Sequence, residues 1–232
     1  MIVDIENMPV AIKDDCLKDT IATASFSSDF SIEHLEGLVL KALTGVFGPE
    51  VFNKIPLVVN GTAQEGKWFW ANNQYRFMFA GDTIRFNIVS QYPKWSEYSQ
   101  FIYLALSALE NKISYKQVSV RYVSFFPNVE LATMIDGTLK MEQLDAFPGS
   151  QYRFMCSARN VVQEVVASAE VQLSDRYEMQ NGSINSIIDI RVWRDCSGEQ
   201  DDAFKSLDLV HNHQKHLFFL LLSEPFYNQL MI

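Results

Sequence analysis

Hydrophobic positions along this chain recur at two periods, and the changes of period mark its elements. From Trp95 through Tyr98, Ile102, Ala105, Leu106 and Leu109 the spacing is helical, with Pro93 where a first turn accepts proline. The pattern predicts an amphipathic helix ending near Lys112. Phe101 to Leu106 is apolar or aromatic on every side, so burial on more than one face is expected. Gln117 to Phe126 then alternates Val118, Val120 and Tyr122 against Ser119 and Arg121, which predicts a well-buried strand stopped by Pro127.

The same reading covers the rest of the chain. Thr20 to Phe26 is expected as a first strand, and Ile32, Leu35, Leu38, Val39, Leu43 and Val46 as one face of a helix that ends at Gly48-Pro49. Ile55 to Val59 reads as a short strand turning at Asn60-Gly61. Between Lys67 and Ser90 the period is two, with turn chemistry at Asn72-Asn73 and Gly81-Asp82, so three strands are expected in a meander. Residues 128–150 read as a connection. Beyond it, the runs around Phe154, Val171 and Ile188 repeat the meander, and a terminal helix follows, opened by Asp201-Asp202 and carried by Phe204, Leu207, Val210, His211, Phe218 and Leu221. The expected fold is α+β: antiparallel sheets covered by helices on one face. It is built as two meander-and-helix halves, 1–127 and 151–232, joined by 128–150 within one domain spanning 1–232.

Composition narrows the partners. With 48% hydrophobic and 13% aromatic residues, the 232-residue chain can fill a sizeable core. The 19 basic residues against 28 acidic ones leave a formal charge of −9 and no basic run, which disfavours nucleic acid. Cys16, Cys156 and Cys196 are odd in number and widely spaced, a pattern that fits a reducing cytoplasm and not a disulfide scaffold or zinc site. The segment Met1 to Asp15 does not read as a signal peptide, and the longest apolar run of the last helix, Leu217 to Leu222, is too short to cross a bilayer. No cofactor is expected.

Four short motifs carry a resemblance. Tyr92-x-x-Trp95-x-x-Tyr98, Val120-Arg121-Tyr122-Val123-Ser124, Ile188-Asp189-Ile190, and Leu209-Val210-His211 with Phe218 and Leu222 resemble, in order and spacing, a sporadically distributed prokaryotic family of uncharacterised proteins of similar length. The resemblance covers nearly the whole chain and implies a cytoplasmic prokaryotic protein. It carries no activity or cofactor with it. The family's pattern has asparagine where this chain has Ser124, so a role resting on that amide has no counterpart here.

Three groups of residues are candidates for function. His211, His213 and His216 cannot share one metal from a single helix: His211 lies about 140° from His216, and only His213 and His216, about 60° apart, fall together. No metal site is therefore expected, and His211 reads as a core histidine with a hydrogen-bond partner in preference to a catalytic base. Arg121 and Asp189 each sit in an apolar strand, and a buried guanidinium must meet a carboxylate or an anionic ligand. A pair across the sheet is the simpler reading. Alternating aromatics in a meander, Trp68, Phe69 and Trp70 among them, read first as core. Because these three point alternately to both faces of a strand, both faces are expected to be apolar and the second to need a cover, whether the other half of the chain, a second subunit or a protein partner. Signature motifs for phosphate loops, dinucleotides, nucleophile elbows and zinc proteases are absent. The leading expectation is a non-enzymatic cytoplasmic interaction protein that uses an apolar sheet face or edge to hold a protein partner or its own copy. The alternative is a small-molecule or anion-binding protein, or an unrecognised enzyme, with Arg121, Asp189 and His211 lining a pocket between sheet and helix.

Overall fold

A computed structural model describes residues 16–47, 54–59, 62–71, 74–88, 91–135, 151–156, 167–178 and 184–230 of the chain. Among them are nine strands, β1 (Leu17–Ser27), β2 (Lys54–Val59), β3 (Thr62–Ala71), β4 (Tyr75–Ala80), β5 (Thr83–Ile88), β6 (Ser114–Pro127), β7 (Gln151–Cys156), β8 (Ser168–Glu178) and β9 (Ile184–Asp195). Five helices accompany them, α1 (Ile32–Phe47), α2 (Trp95–Ser107), α3 (Leu131–Met134), α4 (Gln200–Leu221) and α5 (Glu224–Leu230). The class is α+β, with antiparallel pairing and helices packed on the sheet. None of these helices is long and apolar enough to cross a membrane.

The chain forms two compact units. The amino-terminal unit comprises the described residues of Asp19–Val120 and Trp193–Val210; the carboxy-terminal unit comprises those of Met1–Lys18, Arg121–Val192 and His211–Ile232. The chain crosses between them within β1, β6, β9 and α4. This is a different division from the halves 1–127 and 151–232 read from the sequence.

In the amino-terminal unit the strand order is β2-β3-β4-β5-β1-β6. The expected meander is there: Ala80 pairs with Thr83 around Gly81, whose φ of 56° suits a two-residue hairpin. Register puts Phe77 opposite Phe86 and Phe86 opposite Ala22, so Tyr75, Phe77, Phe79, Ile84, Phe86, Ala22 and Ala24 share one face. Helix α2 covers it. Tyr75 stacks on Phe101 at 4.7 Å, Phe86 meets Phe101 edge-on at 5.8 Å, and the buried Tyr98 hydroxyl donates to the Phe86 carbonyl at 2.9 Å. Burial drives the Tyr98 phenol well above its usual pKa, so this donor keeps its proton. Helix α1, which starts where the Ser31 hydroxyl accepts from the His34 amide, buries Leu35, Val39 and Leu43 and places Phe47 against Tyr75 and Phe101.

Two expectations for α2 shift. Its first helical residue is Trp95, so Pro93 precedes the N-cap and does not open the first turn. Its α-helical part ends at Ser107. Leu109, Glu110 and Lys112 then donate to carbonyls three residues back, and Asn111, at φ 58°, takes the left-handed conformation that closes the turn before β6. The punctuation read at Gly48-Pro49, Asn60-Gly61 and Asn72-Asn73 lies outside the described residues.

In the carboxy-terminal unit the order is β6-β9-β8-β7. Tyr122, Ser124 and Phe126 of β6, with Ile188, Ile190 and Val192 of β9, make the buried face. Phe126 packs edge-on against Phe226 at 5.4 Å and stacks on Phe218 at 6.4 Å, which sets α4 and α5 over that face. Helix α3 is tied to the start of α5 through Ser223, whose amide donates to the Met134 carbonyl at 2.6 Å and whose hydroxyl donates to Thr133. Residues 136–150 of the expected connection lie outside the described residues.

Candidate functional site

Strand β6 carries two of the candidate groups on consecutive residues, and strand geometry decides what each can reach. Neighbouring side chains leave a strand on opposite faces. Val118, Val120 and Tyr122 fill the helix-covered side, so Arg121 leaves by the other. Its guanidinium meets Asp189 of β9 in a forked contact, with Nε donating at 2.9 Å to Oδ1 and Nη2 at 2.5 Å to Oδ2. The Asp189 side chain is 11% exposed and that of Arg121 is 44% exposed. Planar, bidentate pairing of this kind suits arginine, and the charge that an apolar strand would have to bury is neutralised within the sheet.

Tyr122 turns the other way and meets His211. Its hydroxyl lies 2.8 Å from His211 Nδ1, both groups are buried, and the tautomer of the ring decides which atom carries the shared proton. Burial, with the Lys215 ammonium one helical turn further along α4, pulls the His211 pKa down to about 3. The ring is therefore neutral at ordinary pH. A neutral imidazole locked to a buried phenol is a core hydrogen bond, the role expected for His211, and Tyr122 is the partner that the sequence reading did not name. The available signal was its place in the Val118-Val120-Tyr122 alternation, which assigns it to the helix-covered face.

The structure thus brings Arg121 to Asp189 and His211 to Tyr122, with the sheet between the two pairs. A single pocket lined by Arg121, Asp189 and His211 does not form. His216 has a buried Nδ1 with no partner among the described residues, and burial followed by the neighbouring His213 lowers its pKa. The described residues contain no group of three His, Cys, Asp or Glu side chains placed to hold a metal.

The aromatic triplet also divides. Phe69 is core: it is 3% exposed and stacks on Phe77 at 4.9 Å with the rings 16° apart. The side chains of Trp68 and Trp70 lie outside the described residues. Where the second face of the amino-terminal sheet is described, it is largely polar. Thr23 bonds Ser119 at 2.5 Å, Asn87 donates to Asp19 at 3.1 Å, and Arg85 is exposed.

Among the described residues the sheet ends at β2 and at β7, and the two strands differ. β2 carries Lys54 and Pro56, and its register against β3 shifts between Pro56 and Val58. β7 pairs with β8 in unbroken antiparallel register from Gln151↔Ser174 to Cys156↔Ala169. No family model matches this chain, and neither does any curated protein.

Proposed function

We propose that this chain is a non-enzymatic interaction module that associates with a second copy of itself by strand addition along β7. The observation that carries the reading is the contrast between the terminal strands. A lysine, a proline and a register break are the features by which proteins blunt an exposed edge, and β2 has all three. β7 has none of them: six residues in continuous register, no proline, and Arg153 as its one charge. An edge of that kind adds a further strand through main-chain hydrogen bonds. A two-fold axis normal to the sheet would set β7 antiparallel to its own copy, the isologous contact that closes a dimer. The edge replaces the sheet face as the proposed surface because Phe69 is buried and the described part of the second face is polar. Residence in a prokaryotic cytoplasm belongs to the same reading, supported by cysteines that are odd in number and widely spaced along the chain.

Light scattering on the full chain and on two proline variants, Arg153→Pro and Phe154→Pro, tests this. Successive amides of a strand point to opposite sides, so one proline removes a bond to β8 and the other removes only an outward-facing donor. The expected result is a wild-type dimer and one variant that is monomeric with an unchanged melting temperature. A wild-type monomer at every concentration, or dimers for both variants, would refute strand addition at β7.

A further inference from the structure

The face of α4 that looks onto β6 contains polar side chains that the fold leaves unused. Tyr122–His211 and Phe126–Phe218 are ring contacts at 5.8 Å and 6.4 Å. Between them the strand advances about 13 Å and the helix about 10 Å, so the two elements run side by side. Ser124, midway along the strand on the same face as Tyr122 and Phe126, is therefore level with Gln214 and Lys215, which stand three and four residues after His211 on the same stripe of the helix.

These residues are unusual for the seam of a core. Gln214 is 3% exposed and Ser124 is 5% exposed, yet neither side chain makes a hydrogen bond among the described residues. Buried amides and hydroxyls are almost always partnered, by protein or by something else in the space they face. Lys215 is half-buried, which lowers its pKa, and it has neither an ion pair nor a hydrogen bond among the described residues. An ammonium, a primary amide and a hydroxyl thus stand level with one another along the stretch between the neutral Tyr122–His211 pair and the Phe126–Phe218 stack.

We propose that this seam binds a small monocarboxylate, with Lys215 and the Gln214 amide donating to its two oxygens and the Ser124 hydroxyl taking a neighbouring polar group. One cation beside a neutral histidine matches a single negative charge. A phosphate dianion would need a second cation. The apolar ends of the seam suit a short carbon chain.

The test uses lactate and acetate as probes against chloride at equal ionic strength. Its two readouts are the melting temperature and protection of Lys215 from an amine-acylating reagent, located by peptide mass spectrometry. Lactate is expected to raise the melting temperature by a few degrees and slow the labelling of Lys215. Lactamide, its uncharged isostere, should do neither. Lys215→Met should abolish the shift. Gln214→Leu, which keeps the volume and removes an unpartnered amide, should leave the unliganded protein at least as stable while weakening the lactate response, so the proposal stays exposed even if Lys215→Met folds poorly. Equal protection by lactamide, an unchanged lactate response in Gln214→Leu, or no response to either carboxylate would overturn it.

Discussion

Arg121 and Tyr122 are adjacent in sequence, and each brings one polar group into a strand that is otherwise apolar. Their solutions differ in kind. Arg121 keeps its charge, leaves the strand on the side away from Tyr122 and closes a forked ion pair with Asp189. Tyr122 sits under α4 and meets a histidine that has given up its charge. The ion pair, its arginine 44% exposed and its aspartate 11%, gains Coulomb energy and shares part of it with solvent and ions. The buried pair gains little over water when made, yet costs a good deal when broken, because either partner left alone is a desolvated polar group. The two should therefore respond to different perturbations: the first to salt and the second to acid.

Acid has the largest predicted effect. The His211 pKa is about 3 in the folded chain against an ordinary 6.5. Below pH 6.5 the unfolded chain takes up a proton that the folded chain refuses down to about pH 3, so the unfolded state binds more protons and stability falls as pH falls. The slope approaches about 1.4 kcal/mol per pH unit, or about 3 kcal/mol across two units. The contribution is intact above pH 6.5. Denaturant titrations between pH 7 and pH 4 measure this. The double variant Tyr122→Phe with His211→Leu should flatten the curve, apart from a smaller slope of the same sign from His216, whose pKa burial also lowers. A wild-type curve already flat over that range would mean that His211 is charged in the fold. Next in size is Tyr122→Phe alone. It keeps the ring and strands His211 Nδ1, at a cost of about 1–3 kcal/mol at neutral pH. The same double variant should recover most of that loss.

How much of this the sequence disclosed depends on the range of the interaction. The meander of β3, β4 and β5, the strand β6 and the α+β class follow from local periods, since one buried face imposes them residue by residue. The end of α2 is not legible in the apolar pattern, which runs on to Leu109, while the chain leaves the α-helix at Ser107 and turns through a left-handed Asn111. The alternation of Trp68, Phe69 and Trp70 does not say which of them is core and which is surface; pairing with Phe77 marks Phe69 as core. The pair of Arg121 with Asp189 is legible from the charges in two apolar strands, whereas a pocket shared with His211, the alternative, conflicts with the alternation itself. Alternation along β6 and β9 already puts Arg121 and Asp189 on the side away from Val120, Tyr122, Ile188 and Ile190. What no local pattern holds is the partner: Tyr122 and His211 are 89 residues apart, and the register of β6 against β9 is a long-range fact.

The smallest predicted effect tests the other member of the comparison. Arg121 and Asp189 form a pair with good geometry, but nearly half of the arginine side chain meets solvent. Its coupling, from a double-mutant cycle of Arg121→Met and Asp189→Asn, should be about 1 kcal/mol, at the upper end for exposed pairs because the contact is forked. It should shrink as salt is raised, whereas the Tyr122–His211 coupling should not. The single substitutions should be unequal. Asp189→Asn leaves a cation whose side chain is 44% exposed and can turn to water. Arg121→Met leaves a carboxylate that is 11% exposed, and that variant should be the less stable of the two. Additive single effects would reduce the contact to coincidence. A coupling of several kcal/mol that resisted salt would show that this face of the sheet is covered in solution, and the contrast between the two pairs would then be one of charge alone, no longer one of burial.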